Sequence, residues 1–164
     1  MKRIIPSIII VCITALLGAL LIINGAAKNE AYEIIPSRRF PNMLLKINET
    51  NVNFELYDND TADAFYQKVK EANTLTLTLK ENGGFEKYGD LGFSLPTNDE
   101  SMTLTSGELA IYQGDKLCLF YGSNTYSYSK LGRIKFMTTN ELKELLGDGD
   151  IVVEFELEPT LILY

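Results

Sequence analysis

The sequence predicts a mainly β protein, a closed antiparallel barrel of eight strands with two short helices, preceded by an apolar N-terminal helix. Three observations predict it. Short runs rich in β-branched, aromatic and leucine residues recur between glycine-containing turns. The connections between them are short and mostly local, which suits strands that close on themselves. Only two stretches, near residues 61–71 and 139–146, carry helical spacing with a cap in front.

Residues 1–27 read as a signal anchor or signal peptide. Lys2 and Arg3 precede an uncharged run, Ile4 to Ile23. About twenty helical residues at about 1.5 Å each span a hydrocarbon core. Positive charges stay in the cytoplasm, which places the rest of the chain outside it. Gly25-Ala26-Ala27 offers the small residues that a signal peptidase accepts. Two locations follow: the cell membrane with the domain outside the cytoplasm, or secretion after cleavage behind Ala27. The run is longer than a secretory apolar region of about 7–15 residues, which favours the anchor. Residues 28–42 read as a linker, since Pro36, Pro41 and scattered charges interrupt any periodicity.

The globular part is expected over residues 43–157. Met43 to Glu49 and Val52 to Tyr57 form a hairpin turning at Thr50-Asn51. Asn59 or Asp60 caps a helix from Thr61 to Glu71, whose Ala62, Phe65, Tyr66 and Val69 share one face. Asp58, Asp60 and Asp63 have the acidity of a calcium loop. They lack its glycine and distant glutamate, so they read as a cap and a helix-dipole partner. Thr74 to Lys80 alternates leucine with threonine, a half-buried strand. Glu81 to Gly84 turns the chain, Phe85 to Pro96 holds a short strand near its end, and Thr97 to Ser106 reads as a polar loop.

Three strands follow, Leu109 to Tyr112, Lys116 to Tyr121 and about Tyr126 to Phe136, the first two joined at Gln113-Gly114-Asp115. Thr138 and Glu141 form a capping box for a helix buried through Leu142, Leu145 and Leu146 and ended by Gly147. Ile151 to Leu157 alternates as a last strand. Residues 158–164 form a largely apolar tail.

Composition excludes several functions. The net charge is −7, and the chain beyond residue 27 is more acidic still, which opposes a nucleic-acid partner. There is no histidine, so His-based triads and the usual zinc sets are absent. Cys118 has no second thiol near it in the sequence and reads as a small hydrophobe. No motif calls for a metal or a cofactor.

The chain resembles the bacterial cyclophilin-like domain family. The likeness rests on Asp58-Asn59 with Thr61-Ala62, Leu75-Thr76-Leu77, Tyr88-Gly89-Asp90-Leu91, Phe93-Ser94-Leu95-Pro96, Gly107 to Tyr112, Phe120-Tyr121-Gly122 and Tyr126 to Ile134. It implies the eight-stranded cyclophilin-type barrel. It implies no activity, because the phenylalanine–histidine–arginine signature of prolyl isomerases has no counterpart here. Isomerisation must lower a barrier of about 18–20 kcal/mol with donors placed at the twisting amide. Lys87 supplies charge but not the planar fork of a guanidinium.

The leading functional expectation is therefore a membrane-anchored binding or interaction domain outside the cytoplasm, without catalysis. Its ligand would be a peptide, a protein or a small molecule. The candidate ligand residues are the glycine-bracketed aromatics Tyr88, Phe93, Tyr121, Tyr126 and Tyr128, with Arg133, the sole arginine of the domain. Tyr126 and Tyr128 lie an odd number of residues from Arg133. In a regular strand they face the opposite way, and a bulge near Gly132 is needed to bring them together. Two alternatives stand beside this one. One is a peptidyl-prolyl isomerase with a non-standard site. The other is a purely structural module, in which the tyrosines only cover the barrel wall.

Overall fold

The structure, a computed structural model, describes residues 43–158. The expected anchor (1–27), the expected linker (28–42) and all but the first residue of the expected tail (158–164) lie outside the described residues. Nine strands and two helices follow in the order β1 (Met43–Ile47), β2 (Thr50–Leu56), α1 (Asp60–Ala72), β3 (Thr74–Asn82), β4 (Glu86–Asp90), β5 (Glu100–Leu104), β6 (Glu108–Tyr112), β7 (Lys116–Phe120), β8 (Asn124–Lys135), α2 (Thr139–Leu146) and β9 (Ile151–Leu157). Among these residues no helix is long and apolar enough to cross a membrane.

The strands hydrogen-bond in the order β2-β1-β9-β3-β4-β7-β6-β8, and β2 pairs again with β8. Eight antiparallel strands thus form a closed ring. The ninth, β5, pairs only with β8, from Glu100 opposite Tyr128 to Leu104 opposite Asn124. The mainly β, antiparallel, two-helix arrangement matches the expectation from sequence. The expected polar loop over 97–106 does not: it contains β5. Its residues are polar because most of them stay exposed on the outside of the ring.

Two further corrections concern turns and strands. The β1–β2 turn is Asn48-Glu49, not Thr50-Asn51. Both residues have positive φ, 46° and 68°, the twist that suits a tight hairpin. Asn48 is held there by its Oδ1, which accepts from the Val152 amide at 3.1 Å. The strand expected near the end of 85–96 lies at its beginning, as β4. Glu86 and Lys87 are both buried there, which breaks the usual reading of charge as exposure.

Apolar side chains pack the interior, as expected of eight strands. Leu45, Ile47, Leu79, Leu109, Ile111, Leu117, Leu119, Val153 and Phe155 are among its members. The helix α1 starts at the Asn59 cap, whose side chain accepts from the Ala62 amide. It sends Phe65 and Val69 into the core, and the Phe65 ring meets Phe155 edge-on at 5.0 Å. The helix α2 carries the expected capping box between Thr138 and Glu141 and buries Leu142 and Leu146. Leu145 is only partly buried.

On β8 the register slips between Gly132 and Lys130, opposite Leu109 and Ala110. This is the bulge anticipated near Gly132. A Cβ on Gly132 would lie 2.5 Å from the Glu55 carbonyl oxygen and 2.7 Å from the Phe54 ring, so only glycine fits the crossing. A second, smaller core lies on the other face of β6, β7 and β8. It consists of Leu104, Ala110, Cys118, Phe120 and Tyr128, with Phe85, Tyr88, Met102 and Tyr112 packed against it.

Candidate functional site: a tyrosine cleft over a buried glutamate

The cleft follows from strand alternation. On β7, Leu117 and Leu119 point into the ring, so Lys116, Cys118 and Phe120 point out. Through the β4–β7 register, Tyr88 sits opposite Cys118 and Glu86 opposite Phe120. Through the β6–β7 register, Ala110 sits opposite Cys118 and Tyr112 opposite Lys116. The small side chains of Ala110 and Cys118 leave room beneath the larger ones around them. The result is a cleft of about 420 Å³, lined by Phe85, Glu86, Tyr88 and Cys118 below and by Tyr112, Tyr126 and Tyr128 along β6 and β8.

Three of its rings form a triangle. Tyr112 meets Tyr126 at 5.9 Å and Tyr128 at 6.1 Å, and Tyr126 meets Tyr128 at 6.1 Å. All three pairs are edge-on, the arrangement that aromatic quadrupoles favour. Tyr128 is buried, and Phe120 supports it edge-on at 5.3 Å. Its hydroxyl accepts from Asn124 Nδ2 at 2.9 Å, and burial pushes its pKa up to about 12. Tyr126 is the solvent-facing member, 55% exposed.

Glu86 is only 5% exposed. Asn82 Nδ2 donates to its Oε1 at 2.6 Å, while Oε2 is buried without a hydrogen-bond partner. The Cys118 thiol lies against this carboxyl group without the alignment of a full hydrogen bond, and burial followed by the nearby Glu86 charge pushes the thiol pKa well up. Cys118 is thus a protonated, buried thiol rather than a nucleophile. Lys116 also borders the cleft, but its ammonium pairs with Asp115 at 2.9 Å and Asp90 at 3.3 Å.

Burial raises the Glu86 pKa, and the Asn82 hydrogen bond and the adjacent Cys118 thiol offset this only in part. A carboxyl group whose folded pKa exceeds its unfolded value favours the fold most when protonated. That advantage is lost as pH rises through the folded value. Glu86→Gln keeps the acceptor for Asn82 and removes the charge. The variant is expected to be more stable than the parent by about 1 kcal/mol at neutral pH, with the difference closing towards about pH 4. Thermal unfolding of the two full-length chains across that range checks this; parallel pH profiles would refute it.

The other expected site residues lie elsewhere. Phe93 is half-buried, with the Lys68 ammonium 5.9 Å from its ring centre. The bulge does turn Arg133 outward, but it stands opposite Glu108 and Glu55 and pairs with Glu55 at 3.7 Å. Tyr121 borders a different hollow, about 550 Å³, between the β3–β4 turn and the end of α2. There Glu81 accepts from the Tyr121 hydroxyl, from the Gly84 amide and from Lys87. Burial works to raise the Glu81 pKa, but those hydrogen bonds outweigh it and hold the carboxylate below its ordinary value. Burial and Glu81 push Tyr121 up to about 12. So Tyr88, Tyr126 and Tyr128 share one cleft, and Phe93, Tyr121 and Arg133 are outside it. Tyr112, Glu86 and Cys118 join the cleft without having been singled out from the sequence as ligand residues.

Lys87 faces the interior and is 1% exposed. Its ammonium donates to the Gly149 carbonyl at 2.7 Å and the Gly147 carbonyl at 3.0 Å, and meets Glu81 at 2.8 Å. Three protons have three acceptors. No group of three or more potential metal-binding side chains is found among the described residues.

The sequence matches the model of a family described as the cyclophilin-like family over residues 45–156. No curated protein matches this chain. Among solved structures, the solution structure of a hypothetical protein from Archaeoglobus fulgidus matches with a TM-score of 0.52 and 18% identity, over 76% of this chain and 100% of that one. McbB, solved in complex with tryptophan, matches with a TM-score of 0.51 and 12% identity, over 74% of this chain and 46% of McbB. At these identities the likeness is one of fold.

Proposed function

The chain belongs to the cyclophilin-like family, and from that premise we propose that its ring of strands is a non-catalytic binding domain whose ligand enters the tyrosine cleft. The observation that carries the reading is Glu86 Oε2, a buried acceptor left open at the base of a cleft walled by tyrosines. A buried polar atom without a partner costs stability, about 1–3 kcal/mol, and so calls for an explanation, which a ligand that donates to it supplies. Aromatic walls with one or two convergent polar groups are the usual make-up of a small-molecule site.

The reading places the domain outside the cytoplasm, held at the membrane by residues 4–23, on the strength of Lys2, Arg3 and the uncharged run behind them. It leaves out prolyl isomerisation because Lys87, the cation best placed in sequence for that chemistry, spends its three protons on Glu81, Gly147 and Gly149.

The test is protein-observed NMR of the full-length chain in lipid nanodiscs with ring-labelled tyrosine. A panel of small aromatic compounds is added, alongside a proline peptide whose cis/trans exchange is followed. Ring signals of Tyr112, Tyr126 and Tyr128 are expected to shift together, with Tyr57 and Tyr121 unmoved and peptide exchange at its spontaneous rate. A panel that shifts none of the three, or accelerated exchange, overturns the reading.

A further inference from the structure

We infer that the ligand of the tyrosine cleft carries a cationic amine on an apolar or aromatic body, with the ammonium seated among Tyr112, Tyr126 and Tyr128 above Glu86. The inference rests on the binding reading of the cleft and adds the class of its ligand.

Three observations point to a cation. The first is the ring geometry. Tyr112, Tyr126 and Tyr128 stand mutually edge-on at 5.9–6.1 Å and line one cleft, which brings three aromatic rings to the same space. Ring faces are electronegative and attract an ammonium within about 6 Å. The second is charge. Glu86 is the acid at the base of the cleft, and Lys116, the cation at its border, is already neutralised by Asp90 and Asp115. The third is valence. Glu86 has one oxygen bonded to Asn82 and one with no donor, and an ammonium brings donors and no acceptor.

An anionic ligand would meet the carboxyl group and the ring faces, both unfavourable to it. A neutral donor could bond Oε2, but it would bring no charge to pair with the carboxylate or to meet the ring faces. Burial raises the Glu86 pKa in the empty cleft, and an ammonium beside it reverses that by stabilising the carboxylate. Glu86 Oε2 is buried, so the cleft must relax to admit the amine. Tyr126, 55% exposed and packed edge-on rather than buried, is the ring whose displacement uncovers least core.

The test compares three probes that share one body: phenethylamine, phenethyl alcohol and 3-phenylpropionate. Each is titrated against the full-length chain in nanodiscs, with empty nanodiscs as the blank, and the Tyr126 and Tyr128 ring signals are read. Phenethylamine is expected to bind about tenfold more tightly than the alcohol, the strength of one charge-assisted hydrogen bond. The propionate is expected to bind most weakly. In Glu86→Gln, checked for folding by circular dichroism, the amine should lose its advantage and match the alcohol. In Tyr126→Ala, a change at an exposed ring that leaves the core intact, all affinity for the amine should fall.

Equal binding of amine and alcohol, or preference for the propionate, overturns the amine inference and leaves the cleft as a binding site. An amine advantage that survives Glu86→Gln does the same. Absence of any shift with all three probes overturns both the inference and the binding reading beneath it.

Discussion

Lys87→Ala is expected to destabilise the domain by about 3 kcal/mol. The change removes a side chain that is 1% exposed and empties its volume at one end of the ring. It also strands the carbonyls of Gly147 and Gly149 and takes from Glu81 one of its three donors. Those carbonyls belong to the end of α2 and to the turn that leads into β9, where a positive charge also suits the helix C-terminus. The lysine therefore ties β4 to the segment that positions two other elements. Lys87→Met separates volume from charge. It fills the space but leaves the carbonyls without a donor, so it should recover only part of the loss. Urea unfolding of the full-length chain measures both. A loss below about 1 kcal/mol for the alanine variant would show that water replaces the ammonium, and the account of Lys87 as a structural tie would fall.

Phe155→Ala is expected to cost about 4 kcal/mol. Phe155 is fully buried on β9, with Phe65 of α1 edge-on at 5.0 Å and Phe54 of β2 edge-on at 5.7 Å. Its removal leaves a hole that the flanking strands cannot close, because each is pinned by hydrogen bonds on both sides. Phe155→Leu keeps most of the volume and should cost less than half as much. The measurement is again chemical unfolding. If the alanine and leucine variants were equally stable, the cavity argument would be wrong.

The parts of the fold legible in the sequence are those where one physical signal acts alone. Leucine–threonine alternation places Leu77 and Leu79 inside β3. The Thr138–Glu141 pair announces α2, and Gln113-Gly114, both at positive φ, turn β6 into β7. The turn at Asn48-Glu49 was displaced because Thr50 and Asn51 have turn-like composition but extended backbone, while Glu49 gives no turn signal of its own. The strand β4 was misplaced because Glu86 and Lys87 are buried charges, one facing each side, and period-two reasoning treats both as solvent-exposed. The strand β5 was missed because its sequence, ESMTL, is polar: it adds to the outside of β8 and needs no inward face.

The site was legible only in part. Tyr88, Tyr126 and Tyr128 were marked as aromatics between glycines. The cleft is assembled from four strands, however, and which aromatics share it depends on registers that no local pattern encodes. Register also sets Glu86 and Cys118 beneath them. In the sequence Glu86 is only a glutamate beside a lysine, a pair that reads as solvent-exposed.

The strand order has a consequence for how the domain comes into being. Strand β9 lies between β1 and β3, pairing Leu45 with Phe155 on one side and Leu77 with Val153 on the other. The two strands it joins end about a hundred and about seventy residues before it begins. A growing polypeptide therefore carries an open seam until residue 157 has emerged, with both neighbours of the gap exposing leucines and unpaired amides. Such long-range closure is slow and offers edges to other chains while it waits. Until β9 arrives, the nascent chain presents two strand edges that other chains can pair with.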